Sequence, residues 1–325
     1  MGKLGIIQTM RVDKKLRWAL VLSGGGAKGF AHVGVLKALE ALGVPEPSLV
    51  VGTSMGAIVG ALYVCGMSPG ELETFAVEKF DIREHLDGFA FKLKGPMAKI
   101  FQAGQMLGNL ATKPGIDSGN RALALLEELT GGKTFDQTRI PFRCNAVDLL
   151  SGMEIVLCTG SVARAVRASM SFPPFFDPLV EGDTYLVDGG LVNNLPVRIA
   201  KEMGFDRILA VNVANFRASS RASLNTGPKV IYRALDVAIN HIPRSEVDRP
   251  SLLLTADDGT PPFDFARAKS LVALGVRTVE QNQRAVETFF SGGVMAAIRR
   301  IRYRDPATEL WCSRDLQSKV PPKTT

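Results

Sequence analysis

The pentapeptide Gly52-Thr53-Ser54-Met55-Gly56 stands between the apolar run Leu49-Val50-Val51 and the small-residue run Ala57-Ile58-Val59-Gly60-Ala61-Leu62. That pattern predicts a strand, a sharp turn and a helix. A serine at such a turn must hold an unfavourable backbone angle, and flanking glycines let strand and helix approach until the hydroxyl projects into the open. Ser54 is therefore the candidate nucleophile. The same string also reads more blandly, as a Gly/Ser turn with Ser54 capping a buried helix.

A second unit of the same kind precedes it. Arg17 to Leu22 reads as a short strand that enters Ser23-Gly24-Gly25-Gly26-Ala27-Lys28-Gly29, and Phe30 to Leu42 then shows helical spacing through Ala31, Val35, Leu36 and Leu39. Pro45 and Pro47 break the chain before the next strand. Two consecutive strand-to-helix units imply an α/β fold, a mainly parallel sheet covered by helices.

The glycine run offers backbone N–H groups at a helix N-terminus, where partial positive charge favours an anion. An acyl-transfer serine needs such donors for its oxyanion. Lys28 adds charge beside them, or serves as a structural lysine. Gly24, Gly26 and Gly29 also satisfy the dinucleotide-binding pattern GxGxxG, but that reading needs an acidic residue closing the second strand, and that strand runs into Gly52-Thr53-Ser54. No cofactor is expected.

The base is harder to place. Only His32, His85 and His241 exist, and none has a context that positions it for a triad. Asp188 sits at the end of the strand Thr184 to Val187, in the turn Asp188-Gly189-Gly190, where a side chain can project into a cleft. It also reads as an aspartate that stabilises its own turn. As a base it must lie within hydrogen-bond reach of Ser54 and be partly desolvated, because an ordinary carboxylate is too weak for a hydroxyl.

At 325 residues, 46% hydrophobic and 22% charged, the chain can bury a large core. No window holds 18 uninterrupted apolar residues, and the N-terminal apolar patch is only four residues long, so neither a membrane span nor a signal peptide is expected. Cys65, Cys144, Cys158 and Cys312 show no paired spacing and read as reduced core thiols without a metal site, which points to the cytoplasm. Much of the net charge of +7 is local: Lys3, Arg11, Lys14, Lys15 and Arg17 near the start, Arg299, Arg300, Arg302 and Arg304 near the end.

Between Gly88 and Ile116 aromatic and aliphatic residues alternate with Lys92, Lys94, Lys99 and Lys113, with no acidic residue. Such a stretch suits an interfacial segment or lid, or else a surface helix pair packed on the core. Further on, strands are expected at Phe142 to Leu149, Glu154 to Cys158, Ile208 to Val213 and Leu252 to Thr255. Helices are expected at Val162 to Met170, near Val230 to Ile242, and as one long element from about Phe263 to Phe290, with Arg217 to Gly227 as a loop or linker.

Taken together the blocks Gly24-Gly25-Gly26-Ala27-Lys28-Gly29, Gly52-Thr53-Ser54-Met55-Gly56 and Asp188-Gly189-Gly190 resemble the patatin-like phospholipase family. Phe30-Ala31-His32-Val33-Gly34-Val35-Leu36, Arg167-Ala168-Ser169-Met170-Ser171-Phe172-Pro173 and Leu191-Val192-Asn193-Asn194-Leu195-Pro196 support the match, which runs from about Trp18 to Val213. The resemblance implies a three-layer α/β fold and a Ser54–Asp188 dyad that needs no histidine. Gly24, Gly25, Gly26 and the N–H of Met55 would form the oxyanion hole.

The implied activity is hydrolysis of acyl esters of phospholipids or lysophospholipids through an acyl-enzyme, without a cofactor. Peripheral contact with an anionic membrane and no nucleic-acid partner are expected. A lipid-binding or regulatory protein using the same pocket is the alternative. Pro174 departs from the family pattern, which has a glycine there. The expected organisation is a basic extension over 1–16, a catalytic domain over 17–215 with a lid-like insertion at 88–116, closing elements over 216–305 and a polar tail over 306–325.

Overall fold

The computed structural model describes residues 13–85, 112–240 and 249–291. The chain begins with β1 (Ala19–Leu22), a 3-10 turn at Gly26–Gly29, α1 (Phe30–Ala41), β2 (Leu49–Gly52) and α2 (Met55–Cys65). The two expected strand-to-helix units are thus present. Next come α3 (Pro69–Thr74), which runs into a π-helical turn at Phe75–Lys79, and α4 (Asn120–Thr130). After β3 (Phe142–Asp148) and β4 (Glu154–Leu157) follow α5 (Val162–Ser169), β5 (Leu179–Glu181) and β6 (Thr184–Asp188). The chain continues through α6 (Val197–Glu202), β7 (Ile208–Asn212), α7 (Gly227–Asn240) and β8 (Leu252–Thr255), then α8 (Ala268–Gln281) and α9 (Gln283–Phe290).

One sheet orders the strands β5-β6-β3-β2-β1-β7-β8, with β4 also paired to β3. β3, β2, β1, β7 and β8 are parallel neighbours, whereas β4, β5 and β6 join antiparallel. Both faces are covered. Along β1, Leu20 and Leu22 join the larger core while Ala19 and Val21 join the other, and on β7 Leu209 and Val211 part from Ile208 and Ala210 in the same way. The first face carries α1, α2 and α8; the second carries Val197, Ile199 and Ala200 of α6. A sheet buried on both faces explains why these strands read as continuous apolar runs rather than alternating ones.

Close packing fixes two of the contacts. A Cβ added at Gly34 would stand 1.9 Å from the carbonyl oxygen of Val272, and one at Gly275 would stand 2.0 Å from that of Ala31. α1 and α8 therefore touch backbone to backbone. Trp18, buried to 1% exposure, closes the end of the same layer edge-on to Phe289 and Phe290.

Several expectations change. The long helix from Phe263 is instead a 3-10 turn at Phe265–Arg267 followed by α8 and α9, which part at Asn282, where the Asn282 side chain donates to Thr278 O at 2.8 Å. The stretch 217–227 is tied to the body, with Arg217 bound to Asp257, rather than serving as a free linker. Cys65 and Cys144 are free and buried as expected, but Cys158 is disulfide-bonded, so the reading of four reduced thiols does not hold. Of 88–116 only 112–116 falls within the described residues, where Ile116 N–H donates to Pro174 O at 2.9 Å. The basic extension up to residue 12 and the tail over 306–325 lie outside the described residues. Among the described residues no helix is long and apolar enough to cross a membrane.

Candidate active site

Strand register brings the three sequence blocks to one level. Leu22 of β1 pairs with Gly52 of β2, and Gly52 pairs with Cys144 of β3. Two residues further along β3, Ala146 pairs with Asp188, the last residue of antiparallel β6. Gly24 and Ser54 likewise stand two residues beyond Leu22 and Gly52. The crevice past the carboxyl ends of parallel strands is where an open α/β sheet presents its site.

Ser54 is the one non-glycine residue with positive φ among the described residues, at φ 53° and ψ −120°. It occupies the N-cap position of α2 but makes no capping bond through its side chain, so the bland capping role fails. Its neighbours permit the turn: a Cβ on Gly56 would meet Leu22 O at 2.4 Å, and one on Gly52 would meet Gly56 O at 2.5 Å. Such strain, of order 1–3 kcal/mol, persists only where the surroundings impose it. Here the Ser54 N–H donates to Ser169 Oγ at 3.0 Å, and Thr53 Oγ1 donates to Asn145 Oδ1 at 2.7 Å.

The Ser54 side chain interacts with the Asp188 carboxyl and favours its ionised form. Asp188 is only 3% exposed; its Oδ1 accepts the Gly190 N–H at 2.7 Å, and its own N–H donates to Ser171 O at 3.1 Å. Burial pushes its carboxyl up to about 6, against the opposing hydrogen bonds from Ser54 and Gly190. A carboxylate desolvated in this way is a stronger base than an exposed one.

The histidines do not compete. His32 is buried, its Nε2 lies 2.8 Å from Ser23 O, and burial lowers it to about 4. His85 stacks on Phe80 with ring centres 5.7 Å apart, and burial lowers it as well. Neither is hydrogen-bonded to Ser54 or Asp188, and His241 lies outside the described residues.

The glycine run divides. Gly25 and Gly26 line the pocket above Ser54, as does Met55, and none of their N–H groups is hydrogen-bonded among the described residues. Gly24 differs from expectation: its N–H donates to Asn194 O at 3.1 Å, so it joins the loop to the Asp188 turn instead of facing the pocket. Lys28 also turns aside, pairing with buried Asp257 at 3.3 Å. The loop is held from its far side, where Ala27 N–H donates to Pro262 O at 2.7 Å.

Above Ser54 opens a pocket of about 1330 Å³, counting its open mouth, lined mostly by Phe, Leu, Ile and Met side chains. Its volume and apolar walls suit a long acyl chain. No cluster of three or more His, Cys, Asp or Glu suited to a metal ion occurs among the described residues. The polar groups at the foot of the pocket include the Ser54 hydroxyl and the Asp188 carboxyl, with Gly25, Gly26 and Met55 beside them.

The sequence matches the patatin-like phospholipase family over residues 20–201. This chain belongs to that family. It is 33% identical over 199 residues to patatin-like phospholipase domain-containing protein 6 of Homo sapiens, covering 61% of this chain and 13% of that protein. It is 32% identical over 203 residues to lysophospholipase NTE1 of Pyricularia oryzae, covering 60% of this chain and 12% of that protein. The chain thus spans only a small part of the length of these relatives. VipD from Legionella pneumophila aligns with a TM-score of 0.48 and 17% identity, over 86% of this chain and 69% of that one.

In this member of the family a buried polar network, which the motifs did not single out, lies beside the site. Asn145 Nδ2 donates to Glu154 Oε1 at 2.8 Å and to Asn193 O at 3.0 Å, while Asn193 Nδ2 donates to the same Glu154 oxygen at 2.9 Å. The network ties Thr53, beside the serine, to the loop after Asp188. Burial raises the Glu154 carboxyl, partly offset by the two asparagine bonds. A sequence signal existed: Asn145 stands between Cys144 and Ala146 in an expected strand, and a buried amide must find partners.

Proposed function

We propose that this chain is a serine acyl hydrolase that cleaves fatty-acyl esters of phospholipids or lysophospholipids. The observation that carries the reading is the meeting of strained Ser54 and buried Asp188 at the foot of one large apolar pocket. Family membership supports the lipid ester, as does the printed name lysophospholipase of a relative.

Ser54 Oγ attacks the ester carbonyl carbon while Asp188 takes its proton. The N–H groups of Gly25, Gly26 and Met55 meet the oxyanion, a contribution of about 3–4 kcal/mol per donor in comparable sites. Collapse of the intermediate breaks the bond to the alcohol, which leaves with the proton from Asp188, and the acyl group remains on Ser54. Water then attacks the acyl-enzyme with Asp188 again as base, releasing the fatty acid and restoring the serine. Gly24 serves this site through its bond to Asn194.

The proposed organisation is a catalytic region over 17–215, completed by 216–305. β8 lies in the same sheet, and Phe263 and Tyr232 line the same pocket, which supports counting the second stretch as part of one fold. The proposed location is cytoplasmic, with peripheral contact to anionic membrane; binding to anionic vesicles then falls as salt rises. Salt-independent binding, or none, removes that part of the reading.

The test is labelling of wild type, Ser54→Ala and Asp188→Asn with a fluorophosphonate, alongside fatty-acid release from phospholipids and lysophospholipids. Labelling lost in Ser54→Ala and release reduced at least about 10³-fold in both variants is the expected result. A wild type that neither labels nor releases fatty acid makes the chain a lipid-binding or regulatory protein instead.

A further inference from the structure

Helix α7 is apolar on its solvent side. Its inner face supplies Tyr232, Asp236 and Ile239 to the pocket wall, and it packs on the turn Gly189–Leu191 that follows Asp188. At about 3.6 residues per turn, Val230, Ile231, Ala234, Val237 and Ala238 share the opposite arc, about 120° wide. All five are exposed, Ile231 at 62%, Val230 at 49% and Val237 at 38%. A surface helix ordinarily turns such a stripe toward the core and shows polar residues to water. Left outside, the stripe marks a contact surface.

Charge at its edges selects the partner. Between residues 214 and 240 stand Arg217, Arg221, Lys229 and Arg233 against a single acid, Asp236. Asp236 lies on the pocket face and pairs with Arg233, and Arg217 pairs with Asp257. Arg221 and Lys229 are exposed, and Lys229 and Arg233 flank the apolar arc on one side. Acyl chains beneath anionic headgroups match that combination, because the stripe enters the boundary layer while the cations meet phosphate.

The pocket supplies a second argument. Phe263 lines it yet is 48% exposed, and its ring centre stands 6.0 Å from that of Tyr232, so the mouth opens beside α7. A helix laid flat on a bilayer brings that mouth to the acyl chains, whereas a folded protein on the same stripe crowds it. We propose that the outer face of α7, from Val230 to Ala238, seats this chain on the surface of an anionic lipid bilayer with the pocket mouth turned to the acyl layer. The inference rests on the hydrolase reading and gives its membrane contact a place in the fold.

The experiment measures partition onto vesicles of phosphatidylglycerol and phosphatidylcholine, with Ser54→Ala as the parent so that no lipid is consumed. The parent binds, and Ile231→Asp or Val230→Asp added to it weakens binding about tenfold or more. Lys229→Glu weakens it about fivefold and leaves binding to phosphatidylcholine alone unchanged. Melting temperatures check that the variants fold. Ile231→Trp answers the same question without a buried charge: its added fluorescence over the parent is quenched by lipids brominated along the acyl chain.

No binding by the parent, equal binding by the aspartate variants, or an unquenched tryptophan overturns the proposal. So does a dimer in solution that Ile231→Asp dissociates, which makes the stripe an interface between copies of this chain. Failure of the hydrolase reading shows separately, as a wild type that takes no fluorophosphonate label, and vesicle binding by Ser54→Ala does not depend on it.

Discussion

Ser169 Oγ accepts the backbone N–H of Ser54 at 3.0 Å, so a side chain at the end of α5 satisfies a donor that the elbow withdraws from any backbone partner. Ser169 is fully buried. Ser169→Ala leaves that N–H without an acceptor, at a cost of about 1–3 kcal/mol. The expected outcome is a lower urea midpoint together with reduced kcat on a short-chain ester. A kcat equal to wild type shows that the elbow holds its geometry without this bond.

Asp188 gives a pH prediction. Its carboxyl is raised in the folded protein from 3.8 to about 6. The folded state then binds the proton more tightly than the unfolded state, so the contribution to stability is full below about pH 4 and is lost as pH rises through about 6. The loss amounts to about 3 kcal/mol. Asp188→Asn removes this dependence: its melting temperature exceeds that of wild type at pH 8 and not at pH 4. With the ionised carboxylate as the proposed base, ester hydrolysis by wild type is expected to rise with pH across the same region. A flat rate between pH 4.5 and 7.5 contradicts the assignment.

Asp257 holds the glycine loop from behind. Its side chain is fully buried and meets Lys28 at 3.3 Å and Arg217 at 3.6 Å, while its Oδ2 accepts the Asn215 N–H at 3.0 Å. Asp257→Ala leaves the largely buried Lys28 without its partner and costs about 3 kcal/mol. Thermal unfolding measures this. Lys28→Met alone, which leaves Arg217 on Asp257, is expected to cost less.

Gly34→Ala places a methyl where the Val272 carbonyl stands, and backbone on both sides prevents an easy retreat. The expected destabilisation is about 1–3 kcal/mol or more. The denaturant midpoint reads it directly, whereas Gly43→Ala, in open space but at φ 63°, reports the smaller cost of backbone strain alone.

The chain order of elements around the site was legible because the signals there are local. β1, α1, β2 and α2 fall where apolar runs, glycines and helical spacing placed them, and β8 spans Leu252–Thr255 as expected. α6 and β5 escaped notice, since α6 is only six residues long and β5 only three, with β5 mostly exposed; neither length carries a period. The break at Asn282 was also hidden, because a side chain that bonds its own preceding turn leaves the apolar spacing on both sides unchanged.

The sequence by itself determined which residue types could do chemistry: a serine between glycines, an aspartate in a glycine turn, and a run of glycines before a helix. Those are properties of neighbours in the chain. Tertiary structure decided the rest. Register across β1, β2, β3 and β6 set Ser54 and Asp188 at one level, from positions 134 residues apart (188 − 54). The carbonyl of Asn194 removed Gly24 from the set of free donors, and Asp257 turned Lys28 away. Burial raised the Asp188 carboxyl, and the meeting of α7, the loop after α5 and the loop before α8 brought Tyr232, Phe172, Phe175 and Phe263 into contact. Hydrogen-bond partners, desolvation and ring contacts depend on what the fold brings alongside, and no local pattern encodes them.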